Sequence, residues 1–239
     1  MALPSSGTIS LNDIQTEFGG TNPISLSEYY RGGSFMSDNN SNVPTSGTID
    51  LADFHGSVLA NSITYEIIGG GGEGAGGYYG GNGASGTDSS LASSSGTSFT
   101  TVTATGGAGG SGVAPFNGSF RVGEAGEASY YGSGGAGGLN SDSGNQSPGY
   151  NAPATSYGAG GGGGGAAPFS ANNGGARGEA SDRLTGTLLL APGSVITVTI
   201  GTGGAAISGG GNGAGGYAKL TVGGTATEFT SSGTYTVPS

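Results

Sequence analysis

Few residues in this chain are placed to do chemistry. His55 is the single histidine, and no second ligand type clusters near it in sequence. It therefore reads as a packing or capping residue rather than a metal ligand, and it sits in no credible Ser-His-Asp arrangement. Glu124 and Glu127 are three residues apart. Glycosidases work with two carboxylates, but an isolated pair like this is ordinarily solvated. GTGGAA at Gly201–Ala206 fits the G-x-G-x-x-A dinucleotide fingerprint, yet no helix-forming sequence follows it and no βαβ unit surrounds it. The RGG at Arg31–Gly33 occurs in a single copy, which is poor evidence for RNA binding. There is no cysteine, which excludes a disulfide scaffold and a thiolate metal site. The expectation is a non-enzymatic chain with no catalytic residues, no metal and no cofactor.

What remains are aromatic side chains in polar, glycine-rich surroundings. Phe116, Phe120, Tyr150, Tyr157 and Phe169 lie in stretches punctuated by Pro115, Pro148, Pro153 and Pro168. Aromatics on loops make good recognition groups, because they offer a large contact area for few rotatable bonds. Tyr78–Tyr79 and Tyr130–Tyr131 sit inside glycine blocks. They serve equally well as recognition groups or as cover for the edges of a glycine-rich body.

The elements that must carry these residues are unusual. Of 239 residues, 58 are glycine, against a usual share of roughly 7%. The spacing is regular: Gly71, Gly74, Gly77, Gly80, Gly83 and Gly86 are three apart, and the pattern recurs at Gly106/109/112, Gly132/135/138 and Gly210/213/216. A period of three matches neither α-helix nor β-strand. It matches the left-handed threefold helix of polyproline II type, which has no internal hydrogen bonds. Its N–H and C=O groups must pair sideways, and close lateral packing requires positions without a Cβ. Nine prolines and repeated interruptions exclude collagen. The predicted core is a bundle of polyglycine II helices joined by loops at Thr87–Ser95, Val113–Val122, Leu139–Tyr157 and Ala166–Asn173.

β-Branched and aromatic runs read as strands at 62–68, 98–105, 194–200, 217–222 and 228–237. The fold class is therefore mostly β and irregular, with polyglycine II helices, over residues 61–239.

Residues 1–60 are different. PSSGTISLNDIQ from Pro4 aligns with PTSGTIDLADFH from Pro44, and NPISLSEYYRGG from Asn22 is a third variant. Each unit reads as a turn followed by a short amphipathic helix, capped by Ser10 or Asp50 and ended by Gly19, Gly32 or Gly56. Three such helices bury little surface alone, so this region is expected to be stabilised by docking elsewhere. The alternative is a small domain resting on the chain's own body. Ile9, Leu11, Ile14, Phe18, Leu26, Tyr29, Tyr30, Leu51 and Phe54 are the attachment candidates.

Net charge is −10, with five basic residues. No basic patch can neutralise phosphates, which argues against nucleic acid and against an anionic membrane surface. No apolar run approaches the ~20 residues that span a bilayer, so no membrane insertion is expected. The N-terminal MALPSSGTISLNDIQ has neither a basic nor an apolar leader region, which predicts synthesis in a cytoplasm.

YEIIGGGGEGAGG, LLLAPGSVITVTIGTGGAA and GGNGAGGYAKLTV resemble the glycine-rich domain of tailed-bacteriophage tail-fibre and appendage proteins. EFTSSGTYTVPS matches that family's F-T-x-S-G-T-Y-T-V-P segment, although here it ends the chain rather than opening the domain. LPSSGTISLNDIQTEFGG is similar to the start of many tailed-phage virion proteins. The resemblance implies an adhesin like those at the tips of T-even long tail fibres. In such proteins, loops on a polyglycine II scaffold touch a host cell-surface receptor. It further implies a virion location, and attachment of residues 1–60 to a fibre, baseplate or other virion protein, as a single copy or a homotrimer. A purely architectural or decoration protein is the alternative.

Overall fold

The computed structural model describes residues 2–36, 40–76, 81–95, 99–111, 123–138, 148–164, 175–205 and 209–238. Among them the chain is mostly β, with two antiparallel four-stranded sheets and one α-helix.

The N-terminal repeats fold as their caps dictate. Ser10 takes the Asp13 N–H, and Asp13 takes the Ser10 N–H, closing a capping box at the start of α1 (Leu11–Phe18). The hydrogen bond from the Ser10 side chain holds the Asp13 carboxyl below its ordinary range. Gly19 ends the helix at φ 83°. Asp50 and Asp53 repeat the box on the 3₁₀ turn Leu51–Phe54, and Ser25 caps the 3₁₀ turn Leu26–Tyr29. Only the first repeat becomes α-helical; the other two stop after one turn.

The apolar sides of the repeats converge on one another. Ile9, Ile14, Phe18, Tyr29 and Phe54 are buried with Leu3, Met36 and Val43. Tyr29 packs edge-on against Phe54 at 6.3 Å and donates its hydroxyl to the Gly19 carbonyl at 2.6 Å. The first and third repeats are tied by Leu3 N–H to Ser57 O and Gly56 N–H to Pro4 O, both 2.9 Å. This region thus has a core of its own. The three short elements bury their apolar residues against each other and against the intervening chain.

Two sheets follow. One has the order β4 (Arg183–Leu190), β1 (Asn61–Ile68), β6 (Tyr217–Val222), β7 (Thr225–Phe229). The other has the order β3 (Val102–Ala104), β2 (Ser89–Ser95), β5 (Val195–Thr199), β8 (Gly233–Thr236). Their inner faces share a core of Ile63, Ile67, Leu91, Ile196, Val198 and Leu220, all fully buried. Alternation along each strand sends every second side chain outward.

Three expectations are corrected here. Thr87–Ser95 is not a loop: 89–95 is the central strand β2, recruited by pairing to β3 and β5 despite its serines. Arg183–Leu190, unassigned from sequence, is a strand whose Gly186 leaves room for the ring of Tyr65. The segment 228–237 is two strands rather than one. β7 pairs with β6 and β8 pairs with β5, so the chain crosses from one sheet to the other at Thr230–Ser232, where the Ser232 hydroxyl accepts the Ile200 N–H. Both strands pair within the chain.

β1 to β6 each continue into a glycine-rich segment or receive one, and these segments form a slab beyond the sheets. Along 70–75 the N–H groups turn through three directions and return. Gly70 and Glu73 donate to Thr87 and Ala84, Gly71 and Gly74 to Ala214 and Gly211, and Gly72 and Ala75 to Glu179 and Ala176. The carbonyls of 70–75 receive N–H groups from three further segments, through Gly107 and Gly110, Gly204, and Gly161 and Gly164. Segment 158–164 is enclosed in the same way, by 69–76, 123–127, 134–138, 149–152, 175–182 and 210–216.

The lateral bonds order the segments in three rows. They are 106–110, 175–182 and 123–127; then 83–87, 69–76, 158–164 and 134–138; then 201–204, 210–216 and 149–152. At Gly70, Gly71, Gly72 and Gly74 φ is not positive. Glycine is required there because a Cβ would overlap a neighbouring segment's carbonyl.

Candidate functional site

The slab has two ends. At the end beside the sheets lie residues 69, 87, 106, 127, 152, 182, 201 and 216. At the opposite end, bonds join Gly83 to Gly110, Gly123 to Gly138, Gly164 to Gly175 and Gly149 to Gly209. These bonds define the remote face of the slab. Tyr78, Tyr79, Phe116, Phe120 and Phe169 lie outside the described residues.

A polar groove of about 450 Å³ opens near this face, lined by Gly109, Gly110, Ser111, Glu124, Ala176, Arg177 and Glu179. The two carboxylates read as solvated from sequence have structural work here. Glu124 accepts the Arg177 N–H at 3.4 Å and Glu127 accepts the Ala180 N–H at 3.2 Å. Asp88 and Ser85 do the same for Gly106 and Gly109, and Asn151 does so for Asn212. Each of these side chains supplies the acceptor that a further glycine segment supplies deeper in the slab, so edge N–H groups are not left unpaired.

The remaining aromatic candidates divide. Tyr131 and Tyr157 are brought together with Tyr217, which the sequence reading had placed only in a strand. Tyr157 stacks on Tyr217 at 4.6 Å, and Tyr131 packs against both at 5.5 and 5.2 Å. The cluster covers the outer face of the first sheet where strands pass into the slab. Burial, reinforced by Glu228, raises the Tyr217 phenol far above the ordinary phenol range. Burial and Glu66 raise that of Tyr131, whose hydroxyl donates to Glu66 Oε2 at 3.1 Å. Tyr130 is exposed (71%), and Tyr150 is exposed on the edge segment 149–152 (55%). Tyr130 is in a tight turn closed by Ser129 and Gly132, a surface position that the doublet of tyrosines alone did not distinguish from its half-buried neighbour.

No family model, curated protein or solved structure matches this chain.

The other sequence motifs resolve into structure. Gly203 of GTGGAA packs against Gly213, and Gly204 donates to the Gly71 carbonyl, so the fingerprint glycines belong to the slab. Arg31 of the RGG donates through Nε to Val43 O at 3.1 Å, inside the N-terminal region. His55 Nδ1 lies 3.1 Å from the Pro4 carbonyl. Among the described residues no group of three or more His, Cys, Asp or Glu is arranged to hold a metal ion, and no helix is long and apolar enough to cross a membrane.

Of the attachment candidates, Ile9, Ile14, Phe18, Tyr29 and Phe54 are internal to the N-terminal core. Leu51 is exposed (38%), while Leu11, Leu26 and Tyr30 are half-buried. Tyr30 donates its hydroxyl to the Gly47 carbonyl.

Proposed function

We propose that this chain is a non-enzymatic virion protein of a tailed bacteriophage, part of a tail fibre or appendage. The glycine segments are packed polyglycine II helices. The reading rests on one observation above all, the threefold turn of N–H donors along 70–75 with acceptors on a ring of surrounding segments. A threefold helix of PPII geometry directs successive N–H groups about 120° apart, and a lattice of such helices is held by backbone bonds alone. A slab of this kind is stiff without a large apolar core.

The stiff slab presents its remote face to a host cell-surface receptor. The polar groove that opens near this face supports this. Residues 1–60 join the other pole to a virion partner, through Leu51 and the half-buried Leu11, Leu26 and Tyr30 rather than through the side chains of the internal core. Many copies on one particle add avidity without new contacts.

A second reading, an architectural appendage with no receptor, is favoured by one observation: Tyr131 and Tyr157, both recognition candidates, are packed against Tyr217. Fluorescently labelled protein applied to a panel of bacterial strains separates the two. The adhesin reading expects saturable binding to some strains, lost when Phe116, Phe120 and Phe169 are replaced together by alanine in a variant with an unchanged circular dichroism spectrum. Absence of binding to every strain, in a protein that immunogold labelling still places on particles, leaves the architectural role.

A further inference from the structure

The junction between sheet and slab carries a second surface, independent of the remote face. Tyr130 stands at the tip of the turn 129–132, which is held by Ser129 N–H to Gly132 O at 2.9 Å and by Tyr131 N–H to Ser129 Oγ at 3.2 Å. The guanidinium of Arg183 lies over one face of the Tyr130 ring, 3.9 Å from its centre. Arg183 is fixed in turn by an ion pair with Glu66 Oε1, whose other oxygen takes the Tyr131 hydroxyl. Tyr131 meets Tyr130 edge-on at 5.4 Å and 75°. An exposed tyrosine ordinarily samples several rotamers; this one is clamped by a cation and a ring while most of its surface stays in water. Ordering cost on binding is thereby reduced.

The surroundings define what such a ring can hold. The strand register places Thr185, Glu66, Lys219 and Glu228 in one row across the outer face, with Thr187, Thr64, Thr221 and Ala226 in the next. This face is rich in hydroxyls and balanced in charge, with Arg183 and Lys219 set against Glu66 and Glu228. A nucleic acid would find a ring to stack on but no net positive charge in a chain of net charge −10. A pyranose fits both features. Its C–H face lies on the electron-rich face of an aromatic ring, and its rim of hydroxyls pairs with carboxylate, ammonium and threonine groups.

We propose that Tyr130, clamped by Arg183 and Tyr131, is a stacking platform for a neutral saccharide, completed by the polar outer face of the first sheet. The test is a glycan array of neutral bacterial oligosaccharides, followed by titration of the hits, with the full chain, Tyr130→Ala, Tyr130→Phe and Tyr150→Ala. Because Tyr130 is exposed, its replacement leaves the fold intact, and a matching thermal melt checks this. The expected result is binding of at least one hexose-containing oligosaccharide, weakened about tenfold by Tyr130→Ala. It is retained by Tyr130→Phe, which keeps the ring, and by Tyr150→Ala, which removes another tyrosine exposed among the described residues. No binding to any oligosaccharide overturns the proposal. So does binding that Tyr130→Ala leaves unchanged, and so does binding that Tyr150→Ala abolishes instead.

Discussion

Gly71 and Ala159 meet backbone to backbone in the centre of the slab, and a Cβ on Gly71 would overlap the Ala159 carbonyl oxygen. Neither partner can retreat, because both segments are enclosed by others bonded to them. Gly71→Ala is therefore expected to cost about 3 kcal/mol, the upper range for forcing volume into a packed interior. Gly81→Ala is the control: a Cβ there meets nothing within 4 Å, and a change of less than about 0.5 kcal/mol is expected. Urea denaturation of the two variants measures the difference. Equal stability would mean that the slab is not held by close backbone packing.

Glu73 is the acidic exception within a fully enclosed segment. It has no exposure, and its Oε2 accepts the Ala84 N–H at 2.7 Å. Glu73→Ala strands that N–H inside the slab, at a cost of about 1–3 kcal/mol. Glu73→Gln retains an acceptor oxygen and should recover part of that loss. The order wild type, Gln, Ala in thermal melting temperature is the expected outcome; an alanine variant as stable as wild type would show that the bond contributes nothing.

How far this architecture was legible depended on the kind of signal. Caps and helix stops at Ser10, Asp50, Gly19 and Gly56 were readable, because they are local chemistry satisfied by the nearest backbone groups. Strands β1, β5 and β6 were readable from β-branched residues. β2 was not: SSLASSS has little β propensity, and only its pairing to β3 and β5 makes it a strand. The period of three in glycine was visible, but its lateral bonds are long-range and leave no mark on which segment meets which. The acceptor roles of Glu124, Glu127 and Asp88 were invisible for the same reason. The Tyr130–Arg183–Glu66 clamp joins residues far apart in sequence, and no spacing rule brings them together.

The N-terminal region should fold without the rest of the chain. Its buried set, from Leu3 to Phe54, closes on itself, and the bonds between Leu3 and Ser57 and between Gly56 and Pro4 tie its ends. Residues 1–60 alone are expected to melt cooperatively by circular dichroism. Phe54→Ala, which empties the centre of the cluster, should cost about 3–5 kcal/mol and abolish the transition in so small a unit. A non-cooperative melt of the intact fragment would return stabilisation to docking on another surface.

Stability should fall in alkali through the tyrosine cluster. Burial, with Glu228, raises the Tyr217 phenol, and burial, with Glu66, raises that of Tyr131; burial alone raises Tyr235. A phenol whose folded pKa lies above its unfolded value of about 10 binds its proton more tightly when folded. Its contribution is complete below pH ~10 and is lost as pH rises through the folded value. Phenolate absorbance should therefore show a late group that ionises together with unfolding. Tyr217→Phe removes the titrating hydroxyl while keeping the ring stacked on Tyr157, so it should delete one late phenol and move alkaline unfolding to higher pH. If Tyr217→Phe leaves the late group intact, the phenol that couples ionisation to unfolding lies elsewhere.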